Sequence, residues 1–308
     1  KDSVLYGIGN VAVKLVGFNL IPLYTDAEYY STADYGLMGL LEVTSQILIA
    51  VMGLSLYSGL IRWYWDAEYR DKQKTIFFTT LLFTILTSLC IGSVLWLNVG
   101  ELSALLVQQE GYSLGGELPY ILQLLILTSM LGAVVEVPQN LLRLQRKPIY
   151  YSLTNIVRLF ATLVLTIYFT ISLHRGVSGV YEAQLVGIVI QLLMVLPLVI
   201  KNSSCRVDRK CTIQLLAYSY PLVFPAIVGS LLTVFDRYII NHFQGLDDVG
   251  CYSLGYKVGN TLKLFIVSCV QLALTPLLMK KMNDPDNIRF YSKVLTYFSF
   301  GLMFCALG

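Results

Sequence analysis

Five basic residues, Lys14, Arg158, Arg237, Lys257 and Lys263, lie inside long apolar stretches, as do the acids Glu42, Glu136 and Asp236. By insertion scales a charge at the centre of a bilayer costs about 2.5 to 3.5 kcal/mol. Such residues therefore pair with opposite charges or line a wet cavity, where cations bind anions and acids carry protons or metal ions. A pyrophosphate within about 5 Å of one ammonium, at an effective dielectric near 20, gains roughly 3 kcal/mol before desolvation. Lys257 and Lys263 are separated by about 120° of helical rotation, so they can border one broad cavity.

The remaining chemistry is thin. His174 and His242 are the only histidines, and the six cysteines include no CxxC spacing, so neither a zinc site nor a disulfide framework is expected. No Walker A, HExxH or GxSxG pattern occurs. The longest outer connection, about Gly100 to Leu118, offers three glutamates and no His, Lys or Arg for acid–base work. No enzyme activity and no cofactor are expected.

The elements that must position these charges are membrane helices. The chain has 308 residues, 56% hydrophobic and 13% charged, with mean hydropathy +0.66. A soluble domain carries roughly 25% charged residues. Apolar runs of about twenty residues, each able to cross a core of roughly 30 Å, recur along the whole length. They fall near Val4–Tyr24, Tyr35–Tyr57, Thr75–Val99, Pro119–Leu142, Ile149–Leu173, Val177–Ile200, Leu215–Ile240 and Gly250–Met279, with a ninth starting near Phe290. The fold class is an all-α polytopic membrane bundle.

Lys and Arg set the orientation. Alternate connections hold Arg62, Arg70, Lys72 and Lys74; Arg143, Arg146 and Lys147; Lys201, Arg206, Arg209 and Lys210; and Lys280, Lys281, Arg289 and Lys293. The intervening ones hold Arg175 alone among basic residues while collecting Asp26, Glu28, Asp34, Glu101, Glu110, Glu117, Asp247 and Asp248. This alternation puts the N-terminus in the cytoplasm. The net charge of +3 is spread over these clusters without one basic face, so no nucleic-acid partner is expected.

ADYGLMGLLEV at Ala33–Val43 resembles DDVGCYSLGYKV at Asp247–Val258 when Gly36 is laid on Gly250. Six spans lie between, so the two copies share orientation. This predicts two lobes related by a parallel repeat, with a substrate path between them. The N-terminal lobe covers 1–200, a cytoplasmic linker 201–211, and a partial C-terminal lobe 212–308. The chain begins at Lys1 without an initiator Met and stops at Gly308 inside FSFGLMFCALG, which reads as a piece of a longer transporter-sized protein with a truncated second lobe.

Four segments carry a family resemblance: IPLYTDAEYYSTADYGLMGLL, GLIRWYWDAEYRDKQK, NLLRLQRKPIYYSLTNIVR and YSYPLVFPAIVGSLLTVFDRYIINHFQGLDDVGCYSLGYKVGN. They resemble the O-antigen type polysaccharide-biosynthesis flippases of the multidrug/oligosaccharidyl-lipid/polysaccharide (MOP) exporter superfamily. The resemblance implies translocation of a polyprenyl-pyrophosphate-linked oligosaccharide, the repeat unit of an O-antigen, capsule or exopolysaccharide, across the inner membrane by alternating access. It also implies a cationic cavity lined by spans one, two, seven and eight. Titratable acids in a wet cavity carry H+ or Na+, so one of these is the expected coupling ion, and membrane lipid and glycan polymerases are the other expected partners. Ser31-Thr32-Ala33-Asp34 departs from the usual Leu-Ser-Pro-Glu. An ion-coupled drug exporter of the same superfamily is the alternative, and a membrane glycan polymerase or ligase a more distant one.

On this reading Lys14, Lys257, Lys263 and Asn10 form the substrate cavity, with Asn10 one turn from Lys14 on the same face. Glu42, Asp236 and Arg237 are candidates for coupling or gating. Lys14 and Glu42 have similar depth, so a salt bridge between them is the competing reading, and Asp236 with Arg237 can equally brace the corner between spans seven and eight. Glu136 and Arg158 are expected to be a structural pair.

Overall fold

The computed structural model describes residues 21–24, 26, 28–106, 116–204, 206, 208–262 and 287–307. Among them there is no strand. The helices are α1 Ile21–Tyr24, α2 Thr32–Gly53, α3 Leu56–Trp63, α4 Gln73–Leu97, α5 Val99–Leu106, α6 Glu117–Leu144, α7 Pro148–Ile167, α8 Gly176–Asn202, α9 Arg209–Phe243, α10 Leu246–Leu262 and α11 Asn287–Leu307. A 3-10 turn at Ala67–Lys72 precedes α4, and a π turn at Tyr168–Ser172 extends α7. Six of the described helices are long and apolar enough to cross a membrane. Most of the first expected span and much of the eighth lie outside the described residues.

Side-chain placement fits lipid rather than water as solvent. Leu86 and Val94 on α4, Phe160 and Val164 on α7, Leu193 and Ile200 on α8, and Phe224 and Leu232 on α9 all face outward. Inward, α4 buries Thr80, Thr84 and Ser88, whose hydroxyls donate to carbonyls one turn back on the same helix. Small hydroxyl residues let membrane helices approach closely while satisfying their own polar groups.

Two apolar cores are stacked along the bundle. One holds Leu37, Leu40, Leu41, Ile121, Leu122, Leu125 and Tyr181, toward the end bearing Asp34, Glu117 and Asp247. The other holds Leu56, Leu60, Phe77, Leu141, Leu142 and Leu215, toward the end bearing Arg62, Arg143 and Lys210. These are called the acidic and basic ends below.

Span two is broken between the two cores, where the hydropathy profile predicts a continuous helix from Tyr35 to Tyr57. α2 starts on a capping box, with the Asp34 backbone N–H donating to the Ser31 hydroxyl at 3.1 Å and the Ser31 N–H to the Asp34 carboxylate at 2.9 Å. It stops at Gly53 because Leu54 and Ser55 adopt left-handed φ of 44° and 51°, and α3 restarts at Leu56. Apolar composition is blind to such a break. By contrast α9 runs unbroken through Pro221 and Pro225 for 35 residues, about 52 Å at 1.5 Å per residue. It begins six residues before the sequence estimate, with the Asp208 carboxylate accepting from Lys210 N–H at 3.0 Å.

The repeat register reappears as a contact. α2 begins at Thr32 and α10 at Leu246, and the two helices cross where Gly36 meets Gly250. A Cβ on Gly36 would lie 1.9 Å from the Leu246 carbonyl oxygen, and one on Gly250 2.4 Å from the Thr32 carbonyl oxygen. Under the alignment of Gly36 on Gly250, Thr32 corresponds to Leu246, so the contact is reciprocal, as a two-fold relation between helices requires.

Candidate functional site

The α2–α10 crossing brings charged residues of three helices around one space. Beyond Gly39, where a Cβ would come within 2.5 Å of Ser253 Oγ, the helices diverge. There Glu42 and Gln46 from α2, Thr233 and Arg237 from α9, and Tyr256, Lys257 and Asn260 from α10 enclose a cavity of about 160 Å³. Three i, i+4 pairs supply most of the wall: Glu42/Gln46, Thr233/Arg237 and Tyr256/Asn260, each one stripe of its helix.

Lys257 Nζ stands 3.7 Å from Glu42 Oε2. It also lies 5.1 Å from the Tyr35 ring centroid and 5.9 Å from that of Tyr24, within cation–π range. Arg237 is only 5% exposed. One guanidinium nitrogen donates to the Gly39 carbonyl at 3.5 Å, and the group lies 4.8 Å from the Tyr256 ring centroid. Its Nε is buried without a hydrogen-bond partner. The wall thus carries two cations against one carboxylate, with a desolvated donor left over.

Asp236, the neighbour of Arg237, caps the Arg237 backbone N–H at 2.9 Å and accepts from the Tyr252 hydroxyl. The two side chains of the Asp236/Arg237 dipeptide serve different helices: Asp236 ties α9 to α10, and Arg237 reaches α2. On the same crossing, Thr44 and Tyr238 share a hydrogen bond of 2.7 Å.

A second space of about 490 Å³ adjoins the first, Gln46 and Thr233 lining both. It lies between the broken end of α2 and the proline-bearing part of α9, with Ala50, Gly53, Ser55, Tyr57, Pro225 and Glu136 among its lining residues. Toward the basic end α3 and α9 close again, where Gly59 abuts Ser219 and the Arg62 guanidinium lies 5.1 Å from the Tyr218 ring centroid.

The expected pair of Glu136 and Arg158 is not formed. Arg158 donates to Gln191 Oε1 at 3.1 Å, within a chain in which Gln191 donates to Asn155 at 3.0 Å and Gln139 to Thr154 at 2.9 Å. α6 turns Gln139, not Glu136, toward α7, so Glu136 enters the 490 Å³ cavity and Arg158 stays on the α7–α8 side. Glu42 has Lys257 as its partner, a pairing across the repeat that depth along the chain did not suggest. Lys14, Asn10 and Lys263 lie outside the described residues. Sequence reasoning missed Tyr35, Tyr256, Gln46 and Thr233, although the last two sit one turn from charges already singled out.

The fold is shared with solved membrane transporters of the MATE and MOP groups. A MATE multidrug transporter, DinF-BH, superposes with a TM-score of 0.70 at 15% identity over 97% of this chain and 70% of that one. An inward-facing MATE family transporter gives 0.62 at 15% over 91% and 63%. A MOP superfamily transporter from Pyrococcus furiosus, described as having a binding pocket of reverse polarity, gives 0.62 at 15% over 87% and 62%. This chain therefore spans somewhat less than two thirds of the last two. No curated protein matches it in sequence. Residues 1–282 match the polysaccharide biosynthesis protein family, and the chain belongs to that family.

Proposed function

We propose that this protein is a flippase that moves a polyprenyl-pyrophosphate-linked oligosaccharide across the inner membrane by alternating access of two lobes, 1–200 and 212–308, joined by a cytoplasmic linker at 201–211. The N-terminus is cytoplasmic in this reading, following the basic connections. The observation that carries it is Arg237, buried with an unpartnered Nε beside the cavity that Lys257 also lines. A buried donor without an acceptor is costly unless a ligand supplies one, and a pyrophosphate is rich in acceptor oxygens. Lys14, Lys263 and Asn10 are assigned to the same cavity. Glu42 holds Lys257 when the anion is absent and yields it on binding, while Asp236 braces the corner beside Arg237.

Export of cationic drugs is the second reading, supported by the drug transporters that share the fold. Two cations facing one acid work against it, because a cationic ligand needs the opposite balance. The reverse pocket polarity ascribed to the Pyrococcus furiosus transporter supports variation of pocket charge on this fold. H+ or Na+ coupling, an O-antigen or lipopolysaccharide repeat as cargo, and glycan-polymerase partners belong to the proposal.

The test is translocation of a fluorescent polyprenyl-pyrophosphate oligosaccharide in reconstituted vesicles. The protein should move it, and Arg237→Gln and Lys257→Gln should each slow it roughly 10-fold or more, about 1.4 kcal/mol. Efflux of a cationic dye without movement of the lipid would establish the drug-exporter reading instead.

A further inference from the structure

Glu136 stands against the end of a helix whose polarity it should avoid. Gly53 is the last residue of α2, and a Cβ built on it would lie 3.9 Å from Glu136 Oε2. The last four carbonyls of a helix lack intrahelical partners and form its negative end. Of these, the Met52 carbonyl is met by the Thr87 hydroxyl at 2.8 Å. The break at Leu54 and Ser55 leaves this end at the cavity between the two apolar cores. A carboxylate and a negative helix end in that place repel each other unless a positive charge sits with them.

No surrounding side chain supplies one at ion-pair distance, and Arg143 acts on Glu136 only from further off. On α6 itself, Arg143 lies two turns toward the basic end and donates to Asn140 and Tyr151. On α7, Arg158 is turned to Gln191. On α2, Glu42 is held by Lys257 nearer the acidic end. α3 contributes the Tyr57 side chain, and α9 lines this space with Pro225, Ala226, Gly229, Ser230 and Thr233, none of them charged. α4 offers the hydroxyl of Thr87, and α8 packs Ile188 one turn from Glu136 at Gly132. Among the described residues Glu136 makes no ion pair.

We infer that Glu136 and the carbonyl end of α2, with the Ser55 and Tyr57 hydroxyls, form the binding site of an exchangeable monovalent cation, H+ or Na+. The donors are all oxygens and include a single carboxylate, and no group of three His, Cys, Asp or Glu occurs among the described residues. That donor set suits one positive charge better than two. The site is walled by the break in α2 and by Pro225 of α9, so its occupant contacts elements of both lobes. A coupling role for the cation rests on the transporter reading above, whereas its binding does not.

The experiment is carbodiimide labelling of the purified protein in detergent, without lipid-linked substrate, mapped by mass spectrometry. Dicyclohexylcarbodiimide attacks protonated carboxyls in apolar surroundings, so Glu136 should be labelled, and its rate should fall as pH rises from about 5 to 9. A roughly 10-fold protection by Na+ against equal K+ identifies Na+ as the ion, and pH dependence without that protection identifies H+. Absence of labelling over this whole range, or labelling that neither pH nor Na+ alters, overturns the site. Glu136→Gln supplies a second readout. Its thermal midpoint should no longer respond to Na+ or pH as the wild type does, while Glu101→Gln, far from the cavity, should respond as wild type. Equal responses from wild type and Glu136→Gln would also overturn it. Because no cargo is present, failure of the flippase reading leaves each of these outcomes interpretable.

Discussion

Gly36 and Gly250 touch backbone to backbone: a Cβ on the first would lie 3.0 Å from the amide nitrogen of the second, and one on the second 3.3 Å from that of the first. These are the two residues that the internal repeat aligns. The contact closes the acidic end of the bundle along α2 and α10, and it sets the separation at which Lys257 reaches Glu42.

Alanine at either glycine should therefore open that seam. The obstructing atoms are carbonyl oxygens of Leu246 and Thr32, which cannot rotate away as a side chain would. Gly36→Ala and Gly250→Ala should each destabilise the protein by about 1 to 3 kcal/mol, read as a lower thermal midpoint in detergent.

The Glu42–Lys257 pair should matter more for transport than for folding. Both side chains are partly exposed, at 51% and 32%, so screening limits their mutual stabilisation to about 0.2 to 1 kcal/mol. A double-mutant cycle with Glu42→Gln and Lys257→Gln should show small coupling in thermal stability. Under the proposed flippase function, translocation in the same set of variants should fall clearly wherever the Lys257 change is present.

Ser55 tests the broken span. Its φ of 51° suits glycine and penalises β-branched residues. Its hydroxyl makes one long hydrogen bond, donated to the Leu222 carbonyl at 3.4 Å. Ser55→Gly should be nearly neutral in stability, and Ser55→Val should cost about 2 kcal/mol. Equal melting of the two variants would contradict a left-handed residue there.

Arg158 should behave as a structural residue. Replacing it by Ala leaves the Gln191 carbonyl oxygen without its donor in a buried place, a loss of about 1 to 3 kcal/mol. Translocation per folded molecule should be unchanged.

At the basic end Lys72 Nζ lies 2.5 Å from Asp208 Oδ2, joining the start of α4 to the start of α9. The Lys72 hydrogen bond holds the Asp208 carboxyl below its ordinary range, and Asp208 in turn raises the Lys72 ammonium. A depressed carboxyl stabilises the fold above its unfolded value of about 3.9, and that contribution is lost as pH falls through the folded value. A raised ammonium stabilises below its unfolded value of about 10.4 and is lost as pH climbs through the folded one. The melting difference between wild type and Asp208→Asn should be flat from about pH 5 to 9 and close on the acid side.

Much of the bundle was legible because hydropathy and loop charge are local. Charges in apolar runs marked Glu42, Arg237 and Lys257, and the Gly36–Gly250 alignment marked two residues that the fold brings into contact, although the alignment itself did not foretell the contact. The partners of those charges were not legible. In a soluble helix the apolar stripe announces the buried face, but a membrane helix is apolar all round, since lipid and protein interior accept the same side chains. Nothing in the composition of α6 says that Gln139 faces α7 while Glu136 faces the cavity.

The sequence by itself determined that the chain is a bundle of membrane helices, which connections are basic and which residues carry charge into the apolar layer. Tertiary structure alone decided that Lys257 belongs to Glu42, that Arg237 keeps an unpartnered donor, and that span two stops at Gly53. Those outcomes depend on helix rotation and on close contacts between residues some two hundred positions apart, and rotation about a uniformly apolar axis leaves no trace in hydropathy.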